Sequence, residues 1–117
     1  MENILDLYVA AWSEQDARKR HSLLEQAWAD DGVYEDPTAS VSGRDALVAH
    51  IAGFHKAMPG AVIERTSGIS HHHNSVYFAW QIKAANGDVI VDGVDFGALD
   101  DAGRLKRIVG FFGPPGS

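Results

Sequence analysis

The sequence predicts an α+β fold, with three helices around one short strand followed by a meander of four strands. Two observations carry this reading. Apolar residues recur at helical spacing as far as Met58, and from Val62 onward they alternate with period two. Turn signals such as Asp30-Asp31-Gly32, Pro59-Gly60 and Asn86-Gly87 fall between these segments. Three helices against a curved antiparallel sheet are expected to enclose a pocket between the two layers.

The elements follow in order. Ile4, Leu5, Leu7, Tyr8, Ala11 and Trp12 mark the first helix, and Tyr8 and Trp12, four apart, share a face. Asp16 is a candidate N-cap for a second helix over Ala17–Ala29, with an apolar stripe of Leu23, Leu24, Ala27 and Trp28. Arg18, Lys19 and Arg20 belong to its solvated face. Asp30-Asp31-Gly32 stops that helix, and Val33–Asp36 reads as a short strand ended by Pro37. Thr38–Ser42 reads as a polar loop. Ser42 and Asp45 form a capping-box pattern that opens a third helix, Gly43 to Met58, with Leu47, Ile51, Phe54 and Met58 as its buried stripe. Val62–Ile69 is the next strand and His71-His72-His73-Asn74 a polar connector. Ser75–Lys83 alternates Val76, Phe78, Trp80 and Ile82 on one face with Tyr77, Ala79, Gln81 and Lys83 on the other. Asn86-Gly87 makes a hairpin to Val89–Leu99, and Arg104–Phe112 is the last strand.

A length of 117 residues sets the expectation of one domain. Ten Lys+Arg against 16 Asp+Glu give a net charge of -6, which argues against a nucleic-acid partner. No apolar run reaches the roughly 18–20 residues that span a membrane. The opening residues carry no basic segment leading into an apolar one, so a cytoplasmic location is expected. The absence of cysteine removes disulfides and thiolate chemistry and leaves carboxylates and a phenol as reagents. No glycine-rich phosphate loop follows a strand, and nothing in the sequence names a cofactor.

Three ionisable side chains fall where an apolar cavity would lie. Tyr8 sits on the apolar face of the first helix. Asp36 stands before Pro37, where the first strand breaks. Asp95 interrupts the otherwise apolar or glycine run of Val91-Asp92-Gly93-Val94-Asp95-Phe96. Tyr8 also reads as a core aromatic, Asp36 as an Asx-turn residue, and Asp95 as a solvent-facing or interface residue of the sheet. Alternation turns Asp92 to the other face from Asp95, unless a bulge exchanges the two.

The segments Leu7–Trp12, Trp28–Pro37 and Gly43–Leu47, together with Gly110-Phe111-Phe112-Gly113, resemble the nuclear transport factor 2-like superfamily of cone-shaped α+β barrels. Within it they are similar to the SnoaL-like and ketosteroid-isomerase-like branch. The resemblance spans essentially the whole chain. It implies a cone-shaped barrel and homodimerisation through the outer face of the sheet, with Tyr77 and Phe96 as candidate contacts. It also implies acid/base chemistry without a cofactor on a small hydrophobic carbonyl compound, by isomerisation or aldol-type cyclisation. In that reading Asp36 is the general base, and Tyr8 and Asp95 are the oxyanion donors; ketosteroid isomerase is itself a worked case of this division of roles. The logic requires a base within reach of a carbon acid, donors aimed at the enolate oxygen, and burial to keep Asp95 neutral.

Trp12, Phe54, His55, Trp80 and Phe111 are the expected substrate-binding residues, and the two tryptophans should restrict the cavity to a small or flat ligand. His55 also reads as a satisfied border residue. The His71–His73 run reads as a solvated turn, and no metal site is expected. A non-catalytic small-molecule-binding or protein-interaction module is the alternative function. Hydration chemistry would need an Arg, with Arg44, Arg65 and Arg107 the candidates.

Overall fold

The computed structural model describes residues 2–116. Helix α1 spans Glu2–Ser13 and α2 spans Ala17–Ala27. The Asp16 carboxylate accepts from the backbone N–H groups of Arg18 and Lys19, so it caps α2 as expected. This helix stops two residues earlier than its periodicity suggests, because Trp28 is already extended while its N–H still closes onto the Leu24 carbonyl. Strand β1 therefore runs over Trp28–Asp36, and Asp30-Asp31-Gly32 lies inside it rather than forming a turn. The register of β1 shifts between Trp28 and Val33, where the Trp28 indole folds over Gly32; a Cβ at Gly32 would run into that ring.

Residues Ala39–Ser42, expected as loop, form β2 and pair with β1. The Ser42–Asp45 capping box does not form. Gly43 occupies the N-cap of α3 (Arg44–Ala57) at φ 95, which a side chain would resist, and no side chain caps that helix. The strand expected over Val62–Ile69 is shorter: β3 covers Val62–Arg65. Part of the histidine run then extends as β4 (Ser70–His72), with His73 at φ 52 in the tight turn to β5 (Ser75–Lys83). All three histidines of the run are exposed. The remaining strands are β6 (Val89–Leu99) and β7 (Leu105–Phe112).

The strands form one sheet in the order β2-β1-β7-β6-β5-β3, with β4 also paired to β5. Its β1–β7 contact is parallel, so the sheet is mixed rather than antiparallel throughout, and it stays open between β2 and β3. The three helices pack on one face of it, an α+β arrangement. Leu5, Tyr8 and Ala11 of α1, Leu24 of α2, and Leu47 and Ile51 of α3 meet Phe78, Leu105 and Ile108 of the sheet in one core. Among the described residues no helix is long and apolar enough to cross a membrane.

Two polar anchors hold the helices to one another and to the sheet. Arg20 is buried, not solvated as its basic neighbours suggest, and its guanidinium donates to the carbonyls of Glu14 and Gln15 at the end of α1. Ser13 Oγ both donates to the Ile63 carbonyl (3.1 Å) and accepts from the Ile63 N–H (3.0 Å), tying α1 to β3.

Candidate active site

A cavity of about 670 Å³ lies between the helices and the inner face of the sheet. Tyr8 and Trp12 reach it from α1, Tyr34 and Asp36 from β1, His50 and Phe54 from α3, Trp80 from β5, Asp95 from β6 and Phe112 from β7. The structure thus brings Tyr8, Asp36 and Asp95 to one cavity, with Trp12, Phe54 and Trp80 around them.

Two expected lining residues lie elsewhere. Phe111 points outward and is 57% exposed, because alternation along β7 gives the inner position to Phe112. His55 does not line the cavity. Its Nε2 donates to the Trp12 carbonyl at 2.7 Å, which fixes the proton on that nitrogen and satisfies a carbonyl at the end of α1. Five residues earlier on α3, and so on a different face, His50 takes the cavity position instead.

Register places the two aspartates. Asp95 of β6 pairs with Gly110 of β7 and with Phe78 of β5, and Asp36 follows Glu35, which pairs with Val109. Asp92 is exposed on the outer face, so no bulge exchanges it with Asp95.

The environments of the two carboxyls differ. Asp95 is buried and accepts from the Trp80 indole N–H at 2.8 Å. That indole lies flat over Gly93, where a Cβ would collide with the ring. Burial pushes the Asp95 carboxyl up to about 7; the Trp80 hydrogen bond opposes the rise, and the charge of Asp36 adds to it.

Asp36 lies at a half-buried strand end. Its Oδ2 accepts from the Tyr34 hydroxyl at 2.6 Å, and its Oδ1 accepts from the Thr38 N–H and hydroxyl, both at 2.7 Å. Burial pushes this carboxyl up, but the donors from Tyr34 and Thr38, with a lesser pull from His50, outweigh it and hold the group below the ordinary carboxylate value. Asp36 is therefore ionised at neutral pH, whereas Asp95 is largely protonated at slightly acid pH.

The Tyr8 ring stacks on Trp28 at 5.6 Å between centroids. Its hydroxyl is buried without a hydrogen-bond partner among the described residues. Burial, then the charge of Asp95, raise that hydroxyl well above the ordinary phenol value, and the nearby Trp12 side chain offsets only part of the rise. Tyr8 thus remains a neutral donor with nothing to donate to, a costly state unless something fills it.

Sequence reasoning missed Tyr34, Thr38 and His50. For Tyr34 the signal was present, since positions two apart on a strand share a face. None of Arg44, Arg65 and Arg107 lines the cavity. Arg44 donates to the Trp28 carbonyl, while Arg65 and Arg107 pair with Asp6 and Glu35.

Helices on an open mixed sheet, with carboxyls and a phenol on the wall of the cavity between them, define a nuclear transport factor 2-like domain with an acid/base lining. The profile of the SnoaL-like domain matches residues 5–108, and the chain belongs to that family. A SnoaL-like family protein from Agrobacterium tumefaciens strain C58, provisionally called an isomerase, is similar to it at 32% identity, with 95% of each chain covered and a TM-score of 0.90. A protein from Sinorhizobium meliloti provisionally called a polyketide cyclase shares the fold at 20% identity, 94% coverage of each chain and a TM-score of 0.74. So does a protein of unknown function from Exiguobacterium sp. 255-15, at 19% identity, covering 94% of this chain and 98% of that one, with a TM-score of 0.76. No curated protein matches the chain.

Proposed function

We propose that the protein is an acid/base enzyme, needing no cofactor, that moves a proton at a carbon next to a carbonyl in a small hydrophobic compound, in isomerisation or aldol-type cyclisation. One observation carries this reading: two carboxyls of opposite charge preference line a largely apolar cavity, beside a buried phenol whose hydroxyl has no partner. Asp36 takes the proton. Tyr8 and neutral Asp95 donate to the enolate oxygen, in a site where such donors need no reorganisation. Trp12, Phe54, Trp80 and Phe112 hold the apolar body of the substrate.

The test is exchange of the α-protons of 2-tetralone, a flat bicyclic ketone, in D2O followed by proton NMR. Asp36→Asn is expected to slow exchange by about a hundredfold or more, and Tyr8→Phe by about tenfold or more. Unchanged exchange in Asp36→Asn overturns the base assignment.

A second reading, a non-catalytic small-molecule-binding module, is favoured by the three hydrogen bonds on Asp36, which weaken it as a base. Binding of 2-tetralone without exchange would support that reading.

We further propose a homodimer through the outer face of the sheet. Tyr77 and Phe96 are directly paired there and about half exposed, and Phe111 extends the same apolar face opposite Val94. The cytoplasm is the proposed location.

A further inference from the structure

Among the described residues, His50 is the one titratable group on the helical side of the cavity that the proton transfer above leaves unused. It projects from the middle of α3 and is half buried. Its ring packs edge-on against Trp12 at 5.8 Å and tilted against Tyr34 at 5.5 Å, and Tyr34 in turn holds Asp36 through its hydroxyl. The imidazole has no hydrogen-bond partner among the described residues, and its nitrogens are not among the buried unpartnered atoms, so they are accessible on a residue that lines the cavity. The other titratable groups of the lining are Tyr8 from α1, Tyr34 and Asp36 from β1, and Asp95 from β6. Of these Asp36 is the carboxyl that its hydrogen-bond donors hold ionised, and its charge interacts favourably with the His50 side chain.

A proton transfer that begins and ends on one carboxylate needs no second acid. Expulsion of a hydroxyl group does, because hydroxide is a poor leaving group unless it is protonated as it departs. Histidine is the side chain that gives up a proton near neutral pH. We propose that His50 is a second catalytic residue, the general acid to the Asp36 base, and that the site eliminates water from β-hydroxy carbonyl compounds. This rests on the reading of Asp36 as base.

In the step, the α C–H bond breaks and its proton goes to Asp36. The electron pair forms the α,β double bond, the β C–O bond breaks, and the departing oxygen takes the proton of His50. The products are the unsaturated carbonyl compound and water, with Asp36 protonated and His50 neutral; the proton then returns from Asp36 to His50 directly or through the released water. Tyr8 and neutral Asp95 hold the carbonyl oxygen while it carries negative charge.

The probe is 4-hydroxy-4-phenylbutan-2-one, read in two ways on one protein sample: α-deuterium exchange by NMR, and formation of the conjugated ketone by ultraviolet absorbance. Exchange needs only the base, whereas elimination needs base and acid. Wild type is expected to do both, and His50→Gln to lower the ratio of elimination to exchange by about a hundredfold. His50→Asn, with unfolding midpoints of both variants, covers the case in which the first fails to fold. A wild type that exchanges but does not eliminate overturns this inference and leaves the Asp36 reading standing. A wild type that does neither overturns both. Equal losses of the two reactions in folded His50 variants reduce His50 to a packing role and overturn the inference.

Discussion

Asp36 and Asp95 face one cavity from either side of Gly110, on strands that both border β7. Two strand spacings, roughly 10 Å between backbones, separate them. A Cβ on Gly110 would lie 2.9 Å from Asp95 Oδ1 and 3.6 Å from the Asp36 Cβ, so the gap between the acids exists because that position has no side chain.

Gly110→Ala should therefore push Asp95 Oδ1 off the Trp80 indole. Overpacking costs about 1–3 kcal/mol and exceeds the gain of about 0.5–1 kcal/mol from replacing a strand glycine. A net loss of about 1–2 kcal/mol is expected in urea unfolding, with an upfield move of the Trp80 indole N–H resonance. A variant as stable as wild type, with that resonance unmoved, would contradict the packing described.

Asp95 makes stability depend on pH in a definite direction. Its folded value of about 7 lies above the ordinary 3.8, so between those limits the folded chain keeps a proton that the unfolded chain has released. Stability from this group is full at the acid end and falls as pH rises toward 7. Asp95→Asn keeps an acceptor for Trp80 and removes the titration. The variant should gain on wild type by roughly 2–4 kcal/mol between pH 4 and pH 8, at about 1.4 kcal/mol per unit. Parallel urea titrations at the two pH values measure the difference.

Much of this arrangement was legible before the structure. Helical spacing on α1 put Tyr8 and Trp12 on one apolar face, and alternation on β6 put Asp95 and Asp92 on opposite faces, because period decides which residues share a face. What escaped depended on long-range pairing. Leu105 and Ile108 are both buried across the register shift of β7 with β6, so alternation counted from Leu105 turns Phe111 inward, whereas alternation counted from Ile108 turns Phe112 inward. His50 and His55 both border the apolar stripe of α3, and the Trp12 carbonyl, 43 residues away in sequence, claims His55. The short β2 and β4 have too few residues to show a period.

Tyr34→Phe should raise the Asp36 pKa, since it removes one of the donors that outweigh burial. In wild type the folded Asp36 lies below its unfolded value, so its contribution to stability is present above that value and lost as pH falls through the folded one. The variant should lose less on acidification, and any acid limb of an activity profile should move up by the same amount. Carboxyl carbon NMR of Asp36 against pH checks the shift; an unmoved titration would show that Thr38 alone holds the group.

Arg20 should matter for stability far more than its exposed neighbours Arg18 and Lys19. Its guanidinium spans two carbonyls at the end of α1, at 2.7 and 3.1 Å to Glu14 and 3.3 Å to Gln15. Arg20→Met leaves those acceptors unpaired and should cost about 2–4 kcal/mol, in line with hydrogen bonds to a charged donor. Arg20→Lys should recover little, because an ammonium cannot reproduce the fork. Unfolding of the two variants beside Arg18→Met tests the contrast.

The outer face of the sheet exposes Tyr77, Phe96 and Phe111. Phe96 is about half exposed, with Tyr77 on one side of it and Val109 on the other, also paired to it. A charge there should meet its own copy across a two-fold interface, where like charges repel and the apolar contact is lost. Phe96→Glu should therefore shift the protein from dimer to monomer in analytical ultracentrifugation, with the unfolding midpoint now independent of concentration. Phe111→Ser should weaken the dimer in the same direction. A wild type that sediments as a monomer at tens of micromolar, on the order of a weak interface, would remove the dimer and leave this apolar face without the role assigned to it.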